Sequence, residues 1–145
     1  MLRNLITRRP VSVGPDVKIS EVARLMEKEN VGSVLVLADG RPVGILTDRD
    51  IVLRCLAKNI NVTTCPVKDA MTKTLATCRD TDGVFDCIRK MRDERIRRMP
   101  VVDADGKAVG LLSFGDILSM LSREVAELTK TTTIAEEVEP EQEAA

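Results

Sequence analysis

Val43-Gly44-Ile45-Leu46-Thr47-Asp48-Arg49-Asp50-Ile51 returns 66 residues later as Val109-Gly110-Leu111-Leu112-Ser113-Phe114-Gly115-Asp116-Ile117. In each copy a glycine and two aliphatics lead to a hydroxyl residue, and Asp and Ile follow at the same distance. The apolar run reads as a strand. A hydroxyl followed three residues on by an acid reads as a capping box at a helix start. Such a start presents free backbone N–H groups and the positive end of the helix dipole, which suit a phosphate. A carboxylate at the same place can accept two hydrogen bonds from the vicinal hydroxyls of a ribose. Strand, hydroxyl, helix and carboxylate can therefore hold a nucleoside phosphate, and duplication in register strengthens that reading.

The duplication extends outward from this stretch. Ile19, Val22, Ala23 and Met26 form one apolar helix face, and Val84, Cys87, Ile88 and Met91 repeat it. The first of these helices lacks a strong cap, with Lys18 near its start; Asp82 or Gly83 serves the second. Val34-Leu35-Val36-Leu37 and Val43-Gly44-Ile45-Leu46 flank Asp39-Gly40, the pattern of a β-hairpin. Its copy joins Met99-Pro100-Val101-Val102 to Ala108-Val109-Gly110-Leu111-Leu112 across one extra turn residue. Pro100 has no N–H, so it is expected at a sheet edge or as the first residue of its strand. Short strands at Val11-Ser12-Val13 and Leu75-Ala76-Thr77 open the two units. The hydroxyl-capped helices run through Ile51, Val52, Cys55 and Leu56, stopping near Asn59, and through Ile117, Leu118, Leu121, Val125 and Leu128.

Each half thus reads β-α-β-β-α, an α/β (α+β) class in which two small repeats pack around a pseudo-two-fold axis. The expected boundaries are 1–60 for the first repeat, 61–69 for a linker punctuated by Pro66, and 70–129 for the second repeat. Residues 130–145 hold five Glu and a proline with little apolar content, and read as an acidic, flexible tail.

Composition narrows the function. The net charge of −1 offers no bulk attraction to nucleic acid, and two Phe as the only aromatics offer no base-stacking surface. No apolar run approaches the roughly 18 residues of a membrane span. Arg3, Thr7, Arg8 and Arg9 interrupt anything like a signal peptide, so a cytoplasmic location is expected. There is no His, and Cys55, Cys65, Cys78 and Cys87 contain no C-x-x-C pair, so no metal site is expected; Cys87 reads as a small core residue. No Ser, Cys or Asp has an evident paired base, so no catalytic residue is assigned and the chain is not expected to be an enzyme.

The residues quoted above, with Val31-Gly32-Ser33-Val34 and Ile96-Arg97-Arg98-Met99-Pro100-Val101-Val102, resemble a tandem cystathionine-β-synthase (CBS) domain pair, or Bateman module, over about Leu5 to Glu124. The GILTDRDI string is similar to that of stand-alone bacterial CBS-pair proteins and of the CBS insert of IMP dehydrogenase. The resemblance implies a regulatory module that binds AMP, ADP, ATP or S-adenosylmethionine in clefts between the repeats, requires no cofactor, and forms a homodimer. It implies a first cleft of Thr47, Arg49, Asp50, Met71, Ala76, Arg97 and Arg98. It implies a second of Ile6, Val11, Gly32, Ser33, Ser113 and Asp116. The first gathers up to three arginines, which can fork onto phosphate oxygens. The second has Phe114 and Gly115 where the first has Asp48 and Arg49, and looks poorer for a charged phosphate. The expected role is ligand sensing in trans on a protein partner. The alternative is a dimerisation scaffold with empty or vestigial clefts.

Overall fold

A computed structural model describes every residue except 1, 3, 4, 7, 8, 74, 75 and 139–145. The order is β1 (Ser12–Val13), α1 (Ile19–Glu29), β2 (Ser33–Ala38) and β3 (Arg41–Thr47), then a helical segment α2 (48–58). A second round follows: β4 (Cys78–Arg79), α3 (Val84–Asp93), β5 (Arg98–Val102), β6 (Ala108–Ser113) and α4 (Phe114–Val138). The strands form two three-stranded sheets, β1-β2-β3 and β4-β5-β6. This is the β-α-β-β-α repeat expected from the sequence, in a mixed α+β fold. By chain contacts the molecule divides into two compact units, Met1–Leu112 and Ser113–Ala145.

The first sheet follows from its residues. Asp39 and Gly40 both take positive φ (51° and 77°), the two-residue turn that matches strand twist. Antiparallel pairing then sets Val34 against Leu46 and Val36 against Gly44, while β1 joins β2 in parallel through Ser12↔Leu35 and Val13↔Val36. Ile19, Val22 and Met26 of α1 are buried against Val34, Val36 and Leu46. Lys18 and Gly83 are the N-caps of α1 and α3, both without a side-chain cap bond. Asn30 ends α1 in the left-handed region, where its short polar side chain is tolerated.

Two strand expectations need correction, and one proline explains both. Pro100 is the middle residue of β5, the central strand, rather than an edge or first residue. In the first repeat Leu35 N–H donates to Val11 O at 3.0 Å. Pro100 stands where Leu35 does and has no N–H to give. The parallel ladder therefore begins later, as Cys78↔Val101 and Arg79↔Val102, and β4 is Cys78–Arg79 rather than Leu75-Ala76-Thr77. Leu75 itself lies outside the described residues.

The segment α2 begins as Asp48–Asp50, widens into a π-helical stretch Ile51–Cys55 and closes as a 3-10 turn Leu56–Lys58, with Asn59 at φ 54° as its stop. Cys55 is buried while Val52, Leu53 and Leu56 stay exposed. At the other end of the chain, residues read as a flexible tail from Lys130 onward continue α4 as far as Val138. Among the described residues no helix is long and apolar enough to cross a membrane.

The stretch read as a linker, 61–69, carries a 3-10 turn Val67–Asp69 whose Val67 is fully buried. Val67 and Ala70 belong to the core of the first repeat. Val67 N–H donates to Val17 O at 2.8 Å, and Leu2 N–H donates to Asp82 O at 3.2 Å. Leu2 and Val17 are the counterparts of Val67 and Asp82, 65 residues earlier. Val67 thus fills the core of the first repeat, and Leu2, also fully buried, is hydrogen-bonded to the second.

Candidate functional site

The first cleft is built where β3 ends. Thr47 N–H donates to Asp50 Oδ2 (3.0 Å) and Asp50 N–H donates to Thr47 Oγ1 (3.1 Å), a reciprocal capping box. The Asp50 side chain is only 17% exposed, and its Oδ1 lies 3.6 Å from Arg54 Nε. Arg54 also donates from Nη1 to Ala70 O at 2.9 Å, so one guanidinium ties the carboxylate of the first repeat to the chain entering the second. That chain is held against β3 itself, because Ile45 and Thr72 exchange two backbone hydrogen bonds of 2.9 Å. Met71, one residue earlier, lies over Gly44: a Cβ there would come within 2.8 Å of Met71 Cγ and closer still to Sδ. Only a residue without a side chain leaves room for this approach. Gly110 is covered in the same way by Ile6, whose Cγ2 would stand 2.6 Å from an added Cβ.

Beside this crossing lies a cavity of about 190 Å³. Ile45, Ala76 and Ile96 give it apolar wall, Lys73 and Arg98 two cations, Thr72 a hydroxyl and Glu94 an acid. Pockets that enclose a whole drug-sized ligand run to about 300–1,000 Å³. This one therefore has room for a single ring system, with charged groups at the rim.

The structure brings Ala76 and Arg98 together at this cavity, Thr47 and Asp50 together in the cap, and Met71 onto β3. Arg49 is exposed, its N–H donating to the Asp48 carboxylate at 2.8 Å. Arg97 is exposed and is not among the residues lining the cavity. Arg98 opens β5, and Arg97 lies in the bend just before it. Arg54, Lys73, Glu94 and Ile96 were missed by sequence reading. Arg54 had a signal, an opposite charge four residues after Asp50; Lys73 and Glu94 had none, because only the fold places them beside Ile45.

Of the second set, Ile6 packs on Gly110, Val11 O accepts the Leu35 N–H, and Ser33 opens β2 opposite Thr47. Gly32 O accepts the Asp48 N–H at 3.1 Å, so it fastens its own repeat's helix start. In the unit beginning at Ser113, Ser113 N–H and Oγ both donate to Asp116 Oδ2 (3.1 and 2.5 Å), and Asp116 N–H donates back to Ser113 Oγ (3.1 Å). Asp116 is exposed where Asp50 is half-buried.

Comparison with known proteins agrees with this architecture. The family model for the CBS domain matches twice, over residues 2–56 and 67–123. The chain is 34% identical to the CBS domain-containing protein YhcV of Bacillus subtilis over 126 residues, 86% of this chain and 89% of that protein. Among solved structures, a CBS domain protein of Pyrobaculum aerophilum complexed with AMP is 34% identical, with a TM-score of 0.71 over 79% of this chain and 88% of that one. The CBS domain pair of protein MJ0100, in complex with 5′-methylthioadenosine and S-adenosyl-L-methionine, is 25% identical, with a TM-score of 0.75 over 86% and 97%. Two matched repeats, two copies of the capped strand-to-helix turn and the interlocked opening segments place this chain in the CBS domain family, as a tandem pair.

Proposed function

We propose that this chain is a non-catalytic, cytoplasmic regulatory module that binds an adenosine nucleotide in the cleft at β3 and acts in trans on a protein partner. The observation that carries the reading is the cavity joining Ile45 of one repeat to Ala76, Ile96 and Arg98 of the other. Its apolar wall suits a purine, Lys73 and Arg98 suit a phosphate, and the capped Asp50 carboxylate keeps lone pairs for ribose hydroxyls. The adenosine compounds held by the relatives support the choice of ligand class. A ligand touching both repeats stabilises one arrangement of them by its differential affinity, which is the signal a partner would read.

Ligand-induced melting shifts test this. AMP, ADP, ATP and S-adenosylmethionine are added to wild type, Asp50→Asn, Arg98→Ala and Asp116→Asn. Ligand at about 100 times its dissociation constant stabilises by about 2.7 kcal/mol, a rise of roughly 5–10 °C for a chain of this size. Losing a charged hydrogen-bond partner costs about 1.5–3 kcal/mol, so Asp50→Asn and Arg98→Ala lose most of the shift while Asp116→Asn keeps it. The reverse pattern would move the site to the second cleft. One observation favours the scaffold reading: Asp50 is already engaged by Thr47 and Arg54. No shift with any ligand, in any variant, would leave that reading standing.

A further inference from the structure

The positions of Val13, Val17, Val22 and Val34 in the first repeat correspond, 65 residues on, to Cys78, Asp82, Cys87 and Met99. The register is independently set, since Val13 pairs with Val36 and Cys78 with Val101, and α1 and α3 begin at Ile19 and Val84. In the first repeat the four valines are ordinary packing: Val22 and Val34 are fully buried, with Val13 and Val17 against them. The fold therefore needs nothing but aliphatic volume at these places. The second repeat fills all four with side chains that donate electron pairs.

These side chains converge. The Cys78 and Cys87 sulfurs and an Asp82 carboxylate oxygen all lie within 4.8 Å of one another. The Cys78 thiol is 3.2 Å from Met99 Sδ. Cys78, Cys87 and Met99 are buried, and Asp82 is half-buried. Asp82 is also held in place: its Oδ2 accepts the Arg79 N–H at 2.9 Å, and its carbonyl accepts the Leu2 N–H. It forms part of the wall of an open cavity of about 380 Å³, which gives a small ion a way in. Two thiols, a pinned carboxylate and a thioether in a site with an entry path make a donor set for a soft cation.

We propose that Cys78, Asp82 and Cys87 form a binding site for a thiophilic d10 cation of the Zn²⁺ and Cd²⁺ class, with Met99 Sδ or a water from the cavity completing four-coordination. Both cysteines bind as thiolates, and their two protons pass to solvent. Burial pushes both thiols up, and because binding releases their protons, affinity rises with pH. The absence of a C-x-x-C pair argued against any metal, but chain spacing is blind here, because β4 and the first turn of α3 bring the two cysteines together. The site lies in the second repeat, independent of the nucleotide cleft.

Cadmium titration of the reduced, metal-free full chain, followed by the thiolate-to-cadmium charge-transfer absorbance, tests the proposal. The expected result is a band that saturates at one Cd²⁺ per chain and is displaced by Zn²⁺. The double variant Cys78→Val/Cys87→Val restores the first repeat's own packing, so it folds and loses the band. Asp82→Asn keeps both thiols and binds roughly tenfold or more weakly. Absence of the band in wild type would overturn the proposal. So would its persistence in the double valine variant, which would assign it to Cys55 and Cys65, or unchanged affinity in Asp82→Asn.

Discussion

Replacing Gly44 with alanine probes the closest approach between the repeats. The new Cβ would stand 2.8 Å from Met71 Cγ and 3.1 Å from Cε, with Sδ nearer still, so Met71 must leave its place or the strand must shift. Overpacking of this kind costs about 1–3 kcal/mol. For a chain of this length that lowers the melting temperature by about 2–4 °C per kcal/mol. The mechanism is isolated by repeating the substitution in a Met71→Ala background. There the obstruction is gone, and Gly44 shows no positive φ that alanine would resist. Alanine should then be better than glycine in the strand by about 0.5–1 kcal/mol. The effect of Gly44→Ala changes sign between the two backgrounds, a coupling of about 2 kcal/mol, within the range found for touching residues. Four variants measured by urea unfolding, with equal m-values, give the cycle. Gly110→Ala against Ile6 should cost at least as much, because a β-branched side chain has fewer rotamers to retreat into. If Gly44→Ala costs the same with and without Met71, the crossing does not explain the glycine.

Two further predictions concern surfaces. Arg95, two residues past the end of α3, takes φ 54° where the first repeat has Asn30 at φ 52°; Arg95→Asn should relieve roughly 1 kcal/mol of left-handed strain and raise the melting temperature, and no rise would mean that Arg95 makes a compensating contact. Leu118, Val125 and Leu128 are 49%, 60% and 67% exposed along α4, an apolar face that we expect a second copy of the chain to cover; sedimentation should show a dimer for wild type and a monomer for Val125→Glu/Leu128→Glu, and a monomeric wild type at high micromolar concentration would refute it.

The sequence alone determined the duplicated β-α-β-β-α order, because periodicity, Asp-Gly turns and hydroxyl-x-x-Asp caps are local signals that survive without knowledge of neighbours. It identified Thr47 and Asp50 as a cap, Asn59 as a stop, and the family. What it misplaced depended on partners distant in the chain. The start of β4 was set by Pro100, which denies a donor to a strand more than twenty residues earlier. Val67 read as linker and Ala70 as the start of the second repeat, because the core that both fill belongs to the first repeat. Lys73, Glu94 and Ile96 join the cavity only because Thr72 pairs with Ile45. Asp82 and Cys87 read separately as a cap and a core residue and Cys78 as neither, and the three become one donor set only when α3 folds back beside β4. Local hydrogen bonding and hydrophobic period are written along the chain; close packing and convergent donors arise between segments, so only the tertiary structure decides them.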